Sequence, residues 1–304
     1  MSQRNNTLKS EKTSQKLPPL VVIVGETASG KSALAMELAE QFDGEIICAD
    51  SWTVYRGFDI GTAKPTPEDQ AKIPHYLLDV ADPAEGFSAA VFQRLAKQAI
   101  ADISARGKLS IMVGGTGLYI DSVLYDYSFL PPSDPVLRAE LNELSLAQLL
   151  TRTDELELDT GGIDLRNKRR IIRLIENNGV RPGKHALRDN AVVLGMAVDR
   201  EHLRERIMAR VDTMLTSGLE VEVQTLAACY GWDVEPMKGI GYCEWGEYFS
   251  GSQTLDAVRV RIIKATMDLA KRQRTWFKRN SSIQWLNDRS NAIDILTTFL
   301  NKTN

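Results

Sequence analysis

Leu20-Val-Val-Ile-Val-Gly-Glu-Thr-Ala-Ser-Gly-Lys-Ser32 is the stretch on which the fold turns. Its first five residues are apolar and four of them are β-branched, which predicts a buried strand. The strand runs into Gly25-x-x-x-x-Gly30-Lys31-Ser32 and then into Ala33-Leu-Ala-Met-Glu-Leu-Ala-Glu40, a helix pattern. Strand, phosphate loop and helix thus follow in the order that the motif requires. The glycines let the backbone curl so that successive N–H groups point inward at phosphate oxygens. The helix N-terminus adds partial positive charge. Lys31 supplies a full charge, and the Ser32 hydroxyl is placed to ligate Mg²⁺. Gly25, Thr27, Ala28, Ser29, Gly30, Lys31 and Ser32 are therefore the candidate phosphate-binding residues. The loop alone does not say which phosphorylated compound it grips.

Working outward, Glu45-Ile-Ile-Cys-Ala49 reads as a second short strand ending at Asp50, and Tyr76–Val80 as a third apolar segment. Residues 88–105 form an amphipathic helix with Ser88 as its N-cap. Leu109–Val113 is the next strand and stops at Gly114-Gly-Thr-Gly117. Alternating strands and helices imply an α/β fold, a parallel sheet covered on both faces, like that of P-loop NTPases. Ligands of such sheets sit at the carboxyl ends of the strands, so the loop, Asp50 and Thr116 are expected to converge on one crevice.

The pattern changes near Leu130-Pro-Pro-Ser-Asp-Pro135. We expect a disordered tail over 1–17, the first part of the core over 18–130, and an inserted all-helical lobe over 131–189. The second part of the core follows over 190–304. There the sheet resumes at Ala191–Val198, Asp199 caps a helix to about Ser217, a basic helix spans roughly 254–279, and Ser282–Leu286 is a last strand.

The chain has 304 residues, 43% hydrophobic and 25% charged, with net charge −3, so a polyanion partner must be met by a local surface. Its three cysteines, Cys48, Cys229 and Cys243, lack metal or disulfide spacing and fit a reducing cytosol. No apolar run reaches the roughly 18 residues of a membrane helix, and residues 1–17 have no signal-peptide core.

Two basic stripes stand out. Arg166-Asn-Lys-Arg-Arg-Ile-Ile-Arg173 holds five cations in eight residues, and Arg166, Arg169, Arg170 and Arg173 share one face if the segment is helical. The second contains Arg259, Arg261, Lys264, Lys271, Arg272, Arg274, Lys278 and Arg279, interleaved with Gln273, Thr275, Trp276 and Phe277. Like charges on one face suggest an RNA or DNA partner. Solvated faces paired with acids elsewhere are the alternative.

Asp50-Ser-Trp-Thr-Val-Tyr-Arg-Gly-Phe-Asp-Ile-Gly-Thr-Ala-Lys-Pro65, taken with the phosphate loop and Val113-Gly-Gly-Thr-Gly-Leu-Tyr119, closely resembles the tRNA dimethylallyltransferase (isopentenyltransferase) family. The resemblance continues through Arg169–Glu176, Asp199-Arg-Glu201, Arg210–Leu215, Gly239–Tyr242 and Lys271–Phe277, and so covers residue 18 to about 286. It implies transfer of a dimethylallyl group from dimethylallyl diphosphate to N6 of the adenosine 3′ of the anticodon, in tRNAs reading codons that begin with U. The loop would then hold a diphosphate leaving group, with Mg²⁺ as cofactor. Asp50 would be the base, which is sufficient at a reference pKa of about 3.9 because attack makes the adenine nitrogen acidic. Thr116 resembles the threonine that hydrogen-bonds the bridging oxygen of the departing diphosphate. Asp50, Ser51, Trp52, Thr53, Thr116, Arg138, Arg169, Arg170, Arg173, Lys271, Arg272, Gln273, Arg274, Thr275, Trp276 and Lys278 match segments that contact tRNA. The resemblance further implies a cytoplasmic enzyme, which we expect to be a monomer.

The chain departs from the family pattern at four positions. Glu26 stands where proline is usual and is expected to face the diphosphate unless it points outward. Trp52 and Thr53 replace a small residue or methionine and a glutamine. Cys243 replaces an arginine or lysine, and loss of one such donor can cost about a hundredfold; Lys238 is the nearby cation to take its place. Two other readings share the motifs: a P-loop small-molecule or nucleotide kinase, and a tRNA-binding protein with impaired catalysis.

Overall fold

The computed structural model describes residues 17–132, 134–286 and 288–303. Apart from Leu17, the expected N-terminal tail lies outside the described residues. Six strands form one parallel sheet in the order β3-β2-β4-β1-β5-β6. They are β1 (Leu20–Gly25), β2 (Gly44–Cys48), β3 (His75–Tyr76), β4 (Leu109–Gly114), β5 (Ala191–Met196) and β6 (Ile283–Leu286). The helices, in chain order, are α1 (Lys31–Gln41), α2 (Pro67–Lys72), α3 (Ala89–Ala105), α4 (Gly117–Leu124), α5 (Pro135–Glu143), α6 (Leu146–Glu155), α7 (Lys168–Glu176), α8 (Arg200–Thr216), α9 (Leu219–Tyr230), α10 (Gly246–Phe249), α11 (Leu255–Phe277) and α12 (Ser290–Thr303).

β1, β2 and β4 are buried at every position, as strands covered on both faces must be. On one face Val21, Ile23, Ile111 and Val113 join Leu34 and Leu38 of α1 and Leu296 of α12. The other face is covered by α3, α4 and α11, where Phe92 and Tyr119 stack with ring centroids 4.2 Å apart. Ser88 caps α3 and Asp199 caps α8 through their side-chain oxygens, each satisfying a helix N–H that would otherwise lack a partner. The third apolar segment yields only a two-residue strand, because Leu77 and Asp79 take left-handed φ values of 64° and 56° that end it.

A second cluster gathers Val54 and Phe58 with Ile207 and Val211 of α8, Val223 of α9 and Trp245. It anchors the long loop after β2. Glu222 of α9 adds a polar anchor, its carboxylate accepting the backbone N–H groups of Asp59, Ile60 and Gly61 at 3.2, 2.7 and 3.1 Å. The Tyr242 hydroxyl donates to the same carboxylate at 2.7 Å.

The chain divides into two units, one running to Leu124 and resuming at Arg188, the other Tyr125–Leu187. In the second, α5, α6 and α7 bring Leu141, Leu149, Ile171, Ile172 and Ile175 together. Arg166 is not on the α7 face expected for it. Asn167 caps the helix at Lys168, and Arg166 lies in the preceding turn, paired with Asp164 at 3.3 Å.

Candidate active site

The register of the sheet assembles the site. Val24 of β1 lies opposite Gly114 of β4, and Cys48 of β2 opposite Val113. The phosphate loop, Asp50 and Thr116 therefore leave the sheet at one edge, the carboxyl edge where parallel sheets bind ligands. A cavity of about 400 Å³ opens there, lined by Lys31, Ser32, Asp50, Trp52, Thr53 and Arg210 among others.

Within the loop, Ala28 and Gly30 take φ values of 59° and 92°. Gly30 accepts this left-handed curl without the penalty that a side chain would meet, and such a curl is the backbone form of anion-binding loops. The Thr27 and Ser29 N–H groups are bonded within the protein, to the Gln273 amide oxygen at 2.7 Å and the Glu26 carbonyl at 3.2 Å. Lys31 is half-buried and its ammonium donates to the Glu26 carbonyl at 3.1 Å. Burial, then the Arg210 charge, pushes its pKa down to about 8, while Asp50 and Glu26 pull it up.

Asp50 accepts the Trp52 N–H at 2.9 Å, a turn that sets its carboxylate at the mouth of β2. The Thr116 hydroxyl accepts the Ser51 N–H at 3.0 Å and donates to the Ser51 hydroxyl at 3.4 Å. Gly114 makes this approach possible, since a Cβ there would fall 2.0 Å from the Ala49 carbonyl oxygen. Trp52 is half-buried in the cavity wall. Thr53 is 5% exposed, lines the cavity, and its hydroxyl has no hydrogen-bond partner among the described residues.

Besides Lys31 and Lys64, the latter paired with Asp59 and Asp79, the cavity lining holds a cation that motif reading does not single out as a site residue. Arg210 projects from the middle of α8 and is half-buried, without a hydrogen-bond partner among the described residues. Burial lowers its pKa and Asp50 opposes that shift. Its only sequence signal is the match of Arg210–Leu215 to a family segment. Lys238 does not take this role, lying 3.8 Å from Glu235 and outside the cavity lining. Nor does Cys243 line the cavity; its thiol bonds to Glu244, and burial pushes its pKa up to about 11.

Glu26 does not face the cavity as a bare charge. It is 3% exposed, and its carboxylate is paired with the Arg274 guanidinium. The α11 stripe accordingly divides in two. Arg259 pairs with Asp212, Arg261 with Glu247 and Arg274 with Glu26. Lys271, Arg272 and Lys278 are exposed and have no ion-pair partner among the described residues. Gln273 is turned inward toward the loop, Thr275 bonds to the Lys271 carbonyl of its own helix, and the Trp276 indole N–H donates to Asp121 at 3.0 Å. In the other unit Arg138 and Arg173 share the fully buried carboxylate of Glu176. Arg169 and Arg170 are exposed.

Magnesium fits the donors present. Among the described residues no cluster of three or more His, Cys, Asp or Glu side chains could hold a metal. The Ser32 hydroxyl and Asp50 carboxylate that line the cavity are hard oxygen donors, the kind that hold Mg²⁺ together with a ligand's phosphate oxygens.

A parallel α/β sheet with a glycine-rich anion cradle, cations and a carboxylate at its carboxyl edge defines the phosphate-loop class of enzymes. The profile of the family described as IPP transferase matches residues 53–280. The chain is 44% identical over 279 residues to tRNA dimethylallyltransferase 1 of Citrifermentans bemidjiense, covering 88% of this chain and 91% of the relative. It is likewise 44% identical over 280 residues to tRNA dimethylallyltransferase of a Roseiflexus species, covering 86% and 90%. Among solved structures, the tRNA isopentenylpyrophosphate transferase of Bacillus halodurans superposes with a TM-score of 0.71 at 35% identity, covering 93% of this chain and 96% of that one. A eukaryotic dimethylallyltransferase described as acting on tRNA gives 0.78 at 25% identity, covering 94% and 80%. The chain belongs to the tRNA dimethylallyltransferase family.

Proposed function

We propose that this chain transfers a dimethylallyl group from dimethylallyl diphosphate to N6 of the adenosine 3′-adjacent to the anticodon, in tRNAs reading codons that begin with U. The observation that carries this reading is the convergence of a carboxylate and two cations, Asp50 with Lys31 and Arg210, on the cavity beside the phosphate loop. A phosphate loop beside a carboxylate also serves phosphoryl transfer; membership of the family is what favours substitution at carbon.

Lys31, Arg210 and the loop N–H groups not bonded within the protein hold the diphosphate and stabilise the charge that grows on it as the allylic C–O bond breaks. The adenine must leave its stack to enter the cavity. Its N6 forms the new bond to carbon, and Asp50 takes the proton that N6 gives up. Thr116 holds the Asp50–Ser51 turn in place, and in this reading its hydroxyl proton, given to Ser51 in the free protein, turns to the bridging oxygen when the diphosphate is bound. Ser32 would hold Mg²⁺ together with the diphosphate, and the ion would supply further neutralisation of the leaving group. Products are N6-isopentenyladenosine in tRNA, diphosphate and a proton.

Ser51, Trp52 and Thr53 sit beside the base-entry side in this reading, and the exposed Arg169, Arg170, Lys271, Arg272 and Lys278 supply charge for the RNA backbone, while Arg138 and Arg173, which share the one Glu176 carboxylate, add a single net charge between them. In this reading the working unit is a monomer in the cytoplasm. No helix among the described residues is long and apolar enough to cross a membrane. The test is mass spectrometry of an anticodon stem-loop after incubation with Mg²⁺ and dimethylallyl diphosphate. The expected result is addition of C5H8 to the adenine. ATP turnover with untouched RNA would overturn the reading in favour of a kinase.

A further inference from the structure

Two consecutive residues of α11 grip the first turn of the phosphate loop. The Gln273 amide oxygen accepts the Thr27 N–H at 2.7 Å, and its amide nitrogen donates to the Gly115 carbonyl at 3.1 Å. One side chain thus ties the loop after β1 to the loop after β4, one residue before Thr116. Gln273 is 9% exposed, and a Cβ on Gly115 would fall 2.2 Å from its amide nitrogen. Arg274 adds a two-pronged pair with the Glu26 carboxylate and donates to the Val198 carbonyl at 3.0 Å. A planar guanidinium fork matches a carboxylate in this geometry and fixes its orientation.

We propose that Gln273 and Arg274 are positioning residues for the diphosphate cradle, holding Glu26 and Thr27 in the binding shape from α11, and are not themselves RNA contacts. Glu26 is the loop's receptor for that hold. The departure from proline at this position is then compensated, because Arg274 supplies the rigidity that a fixed φ would otherwise give. Both residues are used up by the loop, so the RNA-facing charge of α11 falls to Lys271, Arg272 and Lys278. The inference rests on reading the loop as a diphosphate cradle.

The experiment measures two affinities for each variant: inorganic diphosphate with Mg²⁺ by calorimetry, and an anticodon stem-loop by filter binding. Gln273→Ala removes both loop bonds and is expected to weaken diphosphate binding about tenfold while RNA affinity stays within about twofold. Arg274→Met strands the buried Glu26 charge and is expected to weaken diphosphate binding at least as much. Adding Glu26→Gln to Arg274→Met removes the stranded charge and is expected to recover most of the loss, which also guards against a mere folding defect. Loss of RNA affinity with diphosphate affinity intact in Gln273→Ala and Arg274→Met would overturn the inference, as would wild-type behaviour of both. Failure of the wild-type chain to bind diphosphate would instead overturn the cradle reading, and this inference with it.

Discussion

The Thr116 hydroxyl accepts the Ser51 backbone N–H at 3.0 Å, so the turn carrying Asp50 hangs from the end of the neighbouring strand. Thr116→Val keeps the shape but leaves that N–H without its partner. We expect the single-turnover rate to fall about tenfold to a hundredfold, with Thr116→Ser close to wild type. A Thr116→Val enzyme at the wild-type rate would remove Thr116 from the machinery.

Asp50→Asn keeps the turn to Trp52 but cannot take a proton. Transfer should slow by about a hundredfold to ten-thousandfold, while calorimetry shows diphosphate binding at least as tight, since a negative charge has left the cavity. Retained turnover would mean that another group, or water, is the base.

Lys31 titrates at about 8 in the free protein because burial and Arg210 disfavour its charge. Bound diphosphate favours the charged form and raises that pKa. Affinity for inorganic diphosphate should therefore be full below pH 8 and decline as pH rises through it, even though the ligand itself gains charge over that range. Stability of the free protein moves the opposite way, rising from pH 8 toward the ordinary 10.5, where the unfolded chain still holds the proton. Calorimetry between pH 6.5 and 9.5 checks the first claim, and an affinity that rises through pH 8 contradicts it. Lys31→Met should flatten the decline.

Glu222 closes a ring of three N–H groups and the Tyr242 hydroxyl around one carboxylate. Glu222→Ala should cost about 2 kcal/mol or more, read from denaturant unfolding, because these donors lose their acceptor together. It should also raise KM for dimethylallyl diphosphate, since Gly61–Pro65 lines the cavity. Tyr242→Phe removes one bond of the four and should cost about 1 kcal/mol. Equal stability of Glu222→Ala and wild type would show that the ring does not hold the loop.

The exposed cations of α11 make an electrostatic prediction. Replacing Lys271, Arg272 and Lys278 together by alanine should weaken stem-loop binding and shrink the slope of log K against log salt by about 2. Arg259→Ala, whose cation is already paired with Asp212, should leave the slope unchanged. Equal effects from the two variants would mean that pairing does not determine which cations meet RNA.

The strand–loop–helix unit, the strands at Glu45–Ala49 and Leu109–Val113 and the caps at Ser88 and Asp199 were all legible in the sequence, because each is a local pattern. Arg210 was not, because nothing near it in the chain shows that the middle of α8 faces Lys31. The division of the α11 stripe was also hidden, because the partners of Arg259 and Arg274 lie 47 and 248 residues away. Charge runs show where cations are dense, and only the fold shows which are already neutralised. Arg166 illustrates a local miss: helical spacing suggested a shared face, but Asn167, a strong cap, starts the helix after it.

β1 pairs on one side with β4 and on the other with β5, whose sequence begins at Ala191, beyond the whole helical unit. A ribosome must therefore release most of the chain before the strand that opens into the anion cradle can be flanked on both sides. Such distant parallel pairing is slow to form and leaves an apolar edge open meanwhile. During synthesis, the part of the molecule that the chain announces first is among the last to be completed.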